Sequence, residues 1–406
     1  MANLERVAID GQKPDLTIML DLDPVVGLER AASRGEAADR YEKEKLALHE
    51  ERRNAFLAIA KAEPDRCAVV DAGQSQSNGE LFGHDDQEAF LIRTWASGRM
   101  HHALLFSGPQ GIGKATLAFR FARHILANPV FDAGSMDDTA SDALLRRQIA
   151  VGAHPQVLHL TRPFDPKTQK FKTQLTVEET RRISNFLSFT VPGNGWRIVI
   201  VDPVNDMNAS AANALLKNLE EPTPRTLFIL IAQSQGRILP TIRSRCLQLR
   251  FEPLNVASMH HAIESLHLEG NRDAASLVAY ANGSPRRAAM LAEGGALEVI
   301  SAADAVLASR KFEGAAALKI GDALTSREAE PLFFLLCEHL LQRLAQFSTG
   351  AALSGLTSAN RLAALHSEVS NKLAITRGYN LDKRQFLLET MRELHDGVVE
   401  SGARHA

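Results

Sequence analysis

ALLFSGPQGIGKAT, at residues 103–116, is the most informative stretch of this chain. An apolar run leads into the spacing G-x-x-x-x-G-K between Gly108 and Lys114, and a helix-forming stretch follows as far as Leu126. A glycine-rich loop between a strand and a helix lets backbone N–H groups surround a phosphate, while the lysine supplies a positive charge. The sequence therefore predicts a nucleotide-binding P-loop within a parallel α/β sheet.

The predicted nucleotide contacts of this loop lie next to one another in the chain. They are Gly108, Gly111, Gly113, Lys114, Ala115 and Thr116. The motif needs a Ser or Thr hydroxyl directly after the lysine to bind Mg²⁺, and Ala115 has none. Thr116 comes one residue later, where a helix points it about 100° away. We therefore expect weak ATP binding at most, and magnesium binding stays uncertain.

A second part of the nucleotide site is altered at residues 197–203, RIVIVDP. The apolar run is typical of a buried parallel strand, and Asp202 ends it at the edge of the sheet where ligands bind. The next residue is Pro203, which has no carboxylate to activate water. Two losses in one pocket predict a site that binds nucleotide without turning it over. The alternative is an α/β domain with a coincidental glycine loop.

Three more motifs follow one another along the chain, and together they carry a family resemblance. They read NALLKNLEEP at 213–222, TIRSRC at 241–246 and GSPR at 283–286. With the P-loop and the altered Asp202–Pro203 element, they make the chain from about residue 80 onward resemble the delta-prime subunits of bacterial DNA polymerase III clamp loaders. These proteins are AAA+ relatives.

The resemblance implies a function in DNA replication. A subunit of this kind joins gamma/tau and delta subunits in a hetero-pentamer that loads the sliding clamp onto primed DNA. Its implied role is that of a stator, a subunit that scaffolds the complex and does not hydrolyse ATP. Arg245 would act as an arginine finger on ATP bound by a neighbouring subunit, since a planar cation stabilises charge on a transferred phosphoryl group. Arg286 would face this chain's own nucleotide.

Several alternatives remain open at this level. Arg245 could be a structural arginine that ends a helix before a strand at 247–251, and Arg287, next to Arg286, could be a solvated charge. The chain could also be an ATP-hydrolysing motor subunit of the same loader, although Ala115 and Pro203 count against this. The chain would belong to a polymerase holoenzyme, which is a nucleotidyltransferase. We expect the chain itself to have no polymerase activity.

The first 73 residues resemble a different family. The segment PDLTIMLDLDPVVGLERAASRG at 14–35 is similar to the C-terminal part of thymidylate kinase. The matching residues are Asp21, Asp23, Pro24, Gly27, Leu28 and Arg30, and the lid of the kinase would include Arg30, Arg34 and Arg40. The sequence contains no second phosphate loop. We therefore expect a remnant or a fusion, and a working thymidylate kinase is the less favoured alternative.

These motifs predict an α/β AAA+ core followed by helices. The expected domains are a kinase-like fragment at 1–73, a linker at 74–79, an AAA+ core at 80–254, a helical lid at 255–303 and a helical collar at 304–406.

Composition limits the other possibilities. A net charge of −2 over 406 residues gives no overall attraction to DNA. The three cysteines have unrelated spacings, and none lies in 128–155, where some delta-prime relatives carry a four-cysteine zinc module, so we expect no zinc. No apolar run of 18 residues is present, and we expect a cytoplasmic protein without a membrane span.

Overall fold

The protein is described here from a computed structural model. The described residues are 17–21, 46–62, 67–71, 80–127, 131, 136, 143–150, 152–165, 170–189, 195–234, 236, 238–268, 274–292, 295–326, 329–351, 356–379 and 382–400. They fall into two compact units, Met1–Glu252 and Pro253–Ala406.

The first elements of the chain form a small sheet of their own. Strands β1 (Thr17–Asp21) and β2 (Cys67–Asp71) pair in parallel, and helix α1 (Leu46–Ala62) lies between them in sequence. The apolar runs at 16–22 and 68–71 predict both strands, and the structure contains them. The sequence also predicts a helix at 25–33. That stretch, and the kinase-like residues from Asp23 to Arg40, lie outside the described residues.

The centre of the first unit is a parallel sheet of five strands in the order β4–β7–β8–β3–β9. These strands are β3 (Ala103–Ser107), β4 (Val157–Leu160), β7 (Arg197–Val201), β8 (Thr226–Ala232) and β9 (Leu247–Arg250). A short antiparallel hairpin, β5 (Phe164–Asp165) with β6 (Lys170–Phe171), follows β4. The surrounding helices are α2 (Asp85–Ala96), α3 (Lys114–Ala127), α4 (Ala143–Ala150), α5 (Val177–Ser188), α6 (Ala209–Glu220) and α7 (Pro240–Arg243).

Strands β3 and β8 are buried along their whole length. Their alternate side chains enter two separate apolar clusters, one with Trp95 and Phe121 and the other with Ile183 and Leu215. A parallel strand covered on both faces has to be apolar throughout, which explains the unbroken runs in the sequence. Truncating a buried aromatic such as Phe106 to alanine costs about 3–5 kcal/mol. The expected α/β fold class is confirmed.

The second unit contains only helices among its described residues. They are α8 (Val256–Ser265), α9 (Ala274–Ala281), α10 (Pro285–Ala292), α11 (Ala296–Ala308), α12 (Gly314–Ala323), α13 (Glu330–Ala351), α14 (Leu356–Tyr379) and α15 (Lys383–Glu400). Asn282–Gly283 is a turn dipeptide that predicts a break between two helices, and it separates α9 from α10. Gly283 has φ +71°, and a Cβ atom there would lie 2.7 Å from the backbone of Leu254. Only glycine fits this turn without strain.

The helical spacing of apolar residues from Leu332 to Leu344 predicts an apolar face in the C-terminal region, and this face is found on α13. Phe333, Leu335, Leu336, Leu340 and Leu344 are buried, and Leu332 is half-buried. This face therefore belongs to the core of the second unit. The boundaries between lid and collar remain a prediction.

Candidate functional site

The P-loop follows β3, and the backbone of its first residue, Gly108, lies close to the backbone of two neighbouring segments. Gly108 N donates a hydrogen bond to Ala232 O on the neighbouring strand β8, at 3.2 Å. A Cβ atom on Gly108 would lie 2.2 Å from Phe251 O, so a larger residue cannot fit. Gly111 and Gly113 have φ of +77° and +109°, which glycine adopts without strain. Lack of space at one position and positive φ at the other two therefore explain why these three residues of the predicted phosphate site are glycines.

Lys114 opens α3 with its side chain turned into the loop. It is 4% exposed, and its Nζ donates hydrogen bonds to Gly108 O at 2.7 Å and to Pro109 O. Burial lowers its pKa to about 8, and the negative charge of Asp202 acts in the opposite direction. The ammonium group thus already has backbone partners. An incoming phosphate would have to compete with two carbonyl oxygens for it.

The residues just before α2 lie against the P-loop. His84 has φ +65°, and its Nε2 donates to Ile112 O at 2.7 Å, which fixes the ring tautomer. Its ring stands edge-on to Phe251, with centroids 5.0 Å apart. A Cβ atom on Gly113 would lie 3.2 Å from Leu81 and 3.6 Å from His84. Burial lowers the pKa of His84, which favours the neutral ring. Sequence reasoning missed this histidine because no motif spacing marks it.

Asp202 follows β7, and its N–H donates to Leu160 O at 2.9 Å. Beyond it, the side chain of Asn205 joins two segments: Oδ1 accepts from Gln233 N at 2.7 Å, and Nδ2 donates to Ser234 O at 2.8 Å. Gln233 and Ser234 are the polar residues that follow β8 in sequence. Asn205 is a further polar residue at this edge that sequence reasoning did not select.

Arg245 lies after α7 and is held by two contacts. Its Nη1 donates to Thr241 O at 2.9 Å, and its Nη2 lies 2.7 Å from Oε1 of Glu220. The Arg245 side chain is 36% exposed and that of Glu220 is 49% exposed. The next residue, Cys246, is buried. The backbone of Arg245 is therefore anchored while its guanidinium group lies at the surface.

Arg245 and the P-loop lie at opposite edges of the sheet. Leu247 at the start of β9 pairs with Leu104, and Arg250 at its end pairs with Ser107, in parallel register. Arg245 precedes β9 and Gly108 follows β3, so about 13 Å of strand separates the two levels, from four residues at about 3.3 Å each. Arg245 thus lies at the sheet edge opposite this chain's own phosphate loop.

Arg286 belongs to the second unit, where it is the second residue of α10 and is exposed. The alternative that Arg287 is a solvated charge is wrong. Arg287 is 6% exposed, and its Nε donates to Tyr280 O at 2.9 Å, because the side chain folds back on the end of α9.

None of the described helices is long and apolar enough to cross a membrane. Within the same residues, no three His, Cys, Asp or Glu side chains are grouped so that they could hold a metal ion. Part of the stretch 128–155 lies outside the described residues.

Residues 83–255 match the family model described as DNA polymerase III, delta subunit. The resemblance drawn from the motifs is confirmed for this segment. The chain is 33% identical over 206 residues to the DNA polymerase III subunit delta' of Pseudomonas aeruginosa, covering 50% of this chain and 60% of that protein. It is 26% identical over 237 residues to the tau subunit of Escherichia coli, covering 58% of this chain and 33% of that protein. The chain therefore spans less than two thirds of these relatives.

A second family model, thymidylate kinase, matches residues 1–80 and confirms the N-terminal resemblance. Among solved structures, a gamma subunit-related protein of Thermotoga maritima is 18% identical, with a TM-score of 0.40, covering 77% of this chain and all of that one. The RuvB Holliday junction motor of Thermotoga maritima is 15% identical, with a TM-score of 0.35, covering 63% of this chain and 75% of that one.

Proposed function

We propose that this chain is a delta-prime-type clamp-loader subunit that helps to load the sliding clamp onto primed DNA. It acts as a stator in a hetero-pentamer with gamma/tau and delta subunits, and it supplies Arg245 to ATP bound by a neighbour. The observation that carries this proposal is the position of Arg245 at the sheet edge opposite the P-loop. A cation there is remote from this chain's own nucleotide site and available to another subunit.

The local geometry suits a finger. Buried Cys246 and strand β9 fix the backbone on one side of Arg245, and α7 fixes it on the other. A planar guanidinium group, which can donate two parallel hydrogen bonds, matches a phosphate better than an ammonium group does. In the neighbour's active site, its charge would offset the negative charge that develops on the transferred phosphoryl group.

The chain's own pocket fits a nucleotide only in part. The glycine backbone between Gly108 and Gly113 can surround a phosphate, and Lys114 can supply charge once it leaves its loop carbonyls. Magnesium fits poorly, since Ala115 has no side-chain oxygen and Pro203 stands where a water-activating acid is needed. We therefore propose weak ATP binding without turnover, and no metal-dependent step in this chain.

The second candidate is an ATP-hydrolysing motor subunit, which the intact G-x-x-x-x-G-K spacing favours. The purified chain distinguishes the two. We expect no measurable ATP hydrolysis from it, whereas turnover that disappears in Lys114→Ala would support a motor and contradict the stator proposal.

The main test uses the reconstituted clamp loader with wild-type or Arg245→Ala chain. We expect both complexes to assemble equally in gel filtration, because the Arg245 tip is at the surface. The variant should lose clamp loading and the part of the clamp- and DNA-stimulated ATPase that comes from the facing motor site. Equal rates in two intact complexes would show that Arg245 is only a structural residue.

A further inference from the structure

We propose that Glu220 is the resting counter-ion of Arg245 and restrains the finger until a neighbour's phosphate replaces the carboxylate. This inference rests on the proposed function of Arg245. Glu220 lies 25 positions earlier in the chain, and the two meet because α6 ends, and β9 begins, at the same edge of the sheet.

The two contacts of the guanidinium group differ in kind. The Nη1 bond goes to Thr241 O, which belongs to the same turn as Arg245 and moves with it. The Nη2 bond goes to Glu220 Oε1 on a different helix, α6. The first contact can therefore persist when the finger reaches outward, while the second has to be exchanged. An oxygen of the same charge, carried by phosphate, is the natural replacement.

The position of Glu220 makes this exchange favourable. Glu220 is the last residue of α6, where the helix end carries partial negative charge, and Glu221 adds another carboxylate next to it. The free backbone N–H groups of a helix lie at its N-terminus, so a carboxylate at the C-terminus finds none there and is stabilised by a nearby cation instead. Because both side chains are well exposed, the pair is weak and screened by salt. Polyphosphate carries more charge than one carboxylate and accepts two parallel bonds from arginine. The finger is thus held in one place yet released at small cost.

A restraint of this kind has a kinetic signature. Glu220→Gln removes the charge and keeps the shape, so the finger should engage more often once the neighbour has bound ATP. An exposed ion pair corresponds to a change of about 2–5-fold. We expect the single-turnover rate of ATP hydrolysis at the facing site to rise by that factor, with little change in the ATP concentration needed for half-saturation. A residue that only supports the fold would not raise a rate.

The chain offers a matched control in Glu221, which is exposed and differs from Glu220 by one position. Glu221→Gln makes the same change in net charge beside the same helix end, and no rate increase is expected from it. In an Arg245→Ala background, Glu220→Gln should also have no effect. The Arg245→Ala complex additionally measures the background from the other motor sites.

The experiment is single-turnover ATP hydrolysis by the reconstituted complex with these four chains and wild type, at two salt concentrations. The expected result is a faster rate for Glu220→Gln alone, with an advantage that shrinks as salt rises. Equal or slower hydrolysis by Glu220→Gln than by Glu221→Gln, with Arg245→Ala still defective, overturns the restraint and leaves the proposed function standing. If Arg245→Ala has no defect, the proposed function fails and the restraint fails with it.

Discussion

Lys114 Nζ donates a hydrogen bond to Gly108 O over 2.7 Å, so the P-loop lysine is bonded to the first glycine of its own loop. The same ammonium group also donates to Pro109 O. It therefore satisfies two loop carbonyls that would otherwise need other donors. The loop keeps its conformation by using the charge that a phosphate would need, which makes weak nucleotide binding the physical expectation.

The first prediction concerns the pH dependence of that binding. Burial lowers the Lys114 pKa to about 8, and a bound polyphosphate would raise it, because the anion favours the charged lysine. The affinity for ATP is then highest below pH 8, and it falls as the pH rises above 8, by up to about tenfold per pH unit. Fluorescence anisotropy with a labelled ATP analogue between pH 7.5 and 9.5 measures this. Lys114→Met should bind weakly with no slope, and a flat wild-type profile would contradict the role of the lysine.

The second prediction concerns the geometry of Arg245, the proposed arginine finger. Arg245→Lys keeps the positive charge but loses the planar group that bonds Thr241 O and Glu220 in two directions. An ammonium group cannot make two parallel hydrogen bonds to phosphate. We therefore expect the clamp-loading rate of Arg245→Lys to be only slightly higher than that of Arg245→Ala. Fingers supplied in trans are worth about 10³ or more in rate at their own site. Full activity of the lysine variant would mean that charge alone suffices.

The third prediction concerns residues 1–73. Strands β1 and β2 pair with each other in a separate sheet and do not extend the five-stranded sheet that carries the P-loop. Removing residues 1–73 should therefore leave association with the other loader subunits and clamp loading unchanged. Co-purification and loading assays with full-length and shortened chains test this, and a thymidylate kinase assay on the full chain should register nothing. Loss of assembly in the shortened chain would give this segment a role in the complex.

The fourth prediction concerns Asn205. Its side chain makes two hydrogen bonds that connect the segment after Asp202 with the end of β8. Asn205→Ala should cost about 1–2 kcal/mol, since each bond contributes about 0.5–1.5 kcal/mol. Faster hydrogen exchange in the peptide that contains Gln233 would be the local signal. Asn205→Asp keeps the acceptor for Gln233 N and should restore part of the protection. Unchanged exchange in both variants would mean that water replaces the side chain without loss.

The sequence predicted the elements whose signal is local. Strand β7 was expected at 197–201 because a strand buried on both faces is apolar throughout, and it is found there. The stretch 176–189 has two acids near its start, which favour the N-terminus of a helix and so predict one there. Helix α5 is found at Val177–Ser188.

Features that depend on tertiary contact were not predicted. The Glu220–Arg245 pair joins two motifs that had been interpreted separately, and no periodicity connects them. His84 reaches Ile112 O across a loop whose path no propensity determines. Arg287 is buried because the turn at Gly283 reverses the chain and lets its side chain donate a hydrogen bond to Tyr280 O. In each case the position of a polar side chain depends on a contact in the folded chain that no local sequence pattern encodes.

Helix α6 runs from the Asp202 edge of the sheet to the Arg245 edge. It begins at Ala209, capped by the Asn208 side chain, which accepts from Ala211 N at 2.8 Å, and it ends at Glu220. Its twelve residues span about 18 Å. The hydrogen bonds between successive turns of the helix keep this length nearly constant. A shift of the whole helix along its axis would therefore move the backbone of Asn208 and that of Glu220 together. Helix α6 would thus connect the Asp202 edge, where the proposed nucleotide site lies, with the Glu220–Arg245 pair, whether or not the pocket turns over ATP.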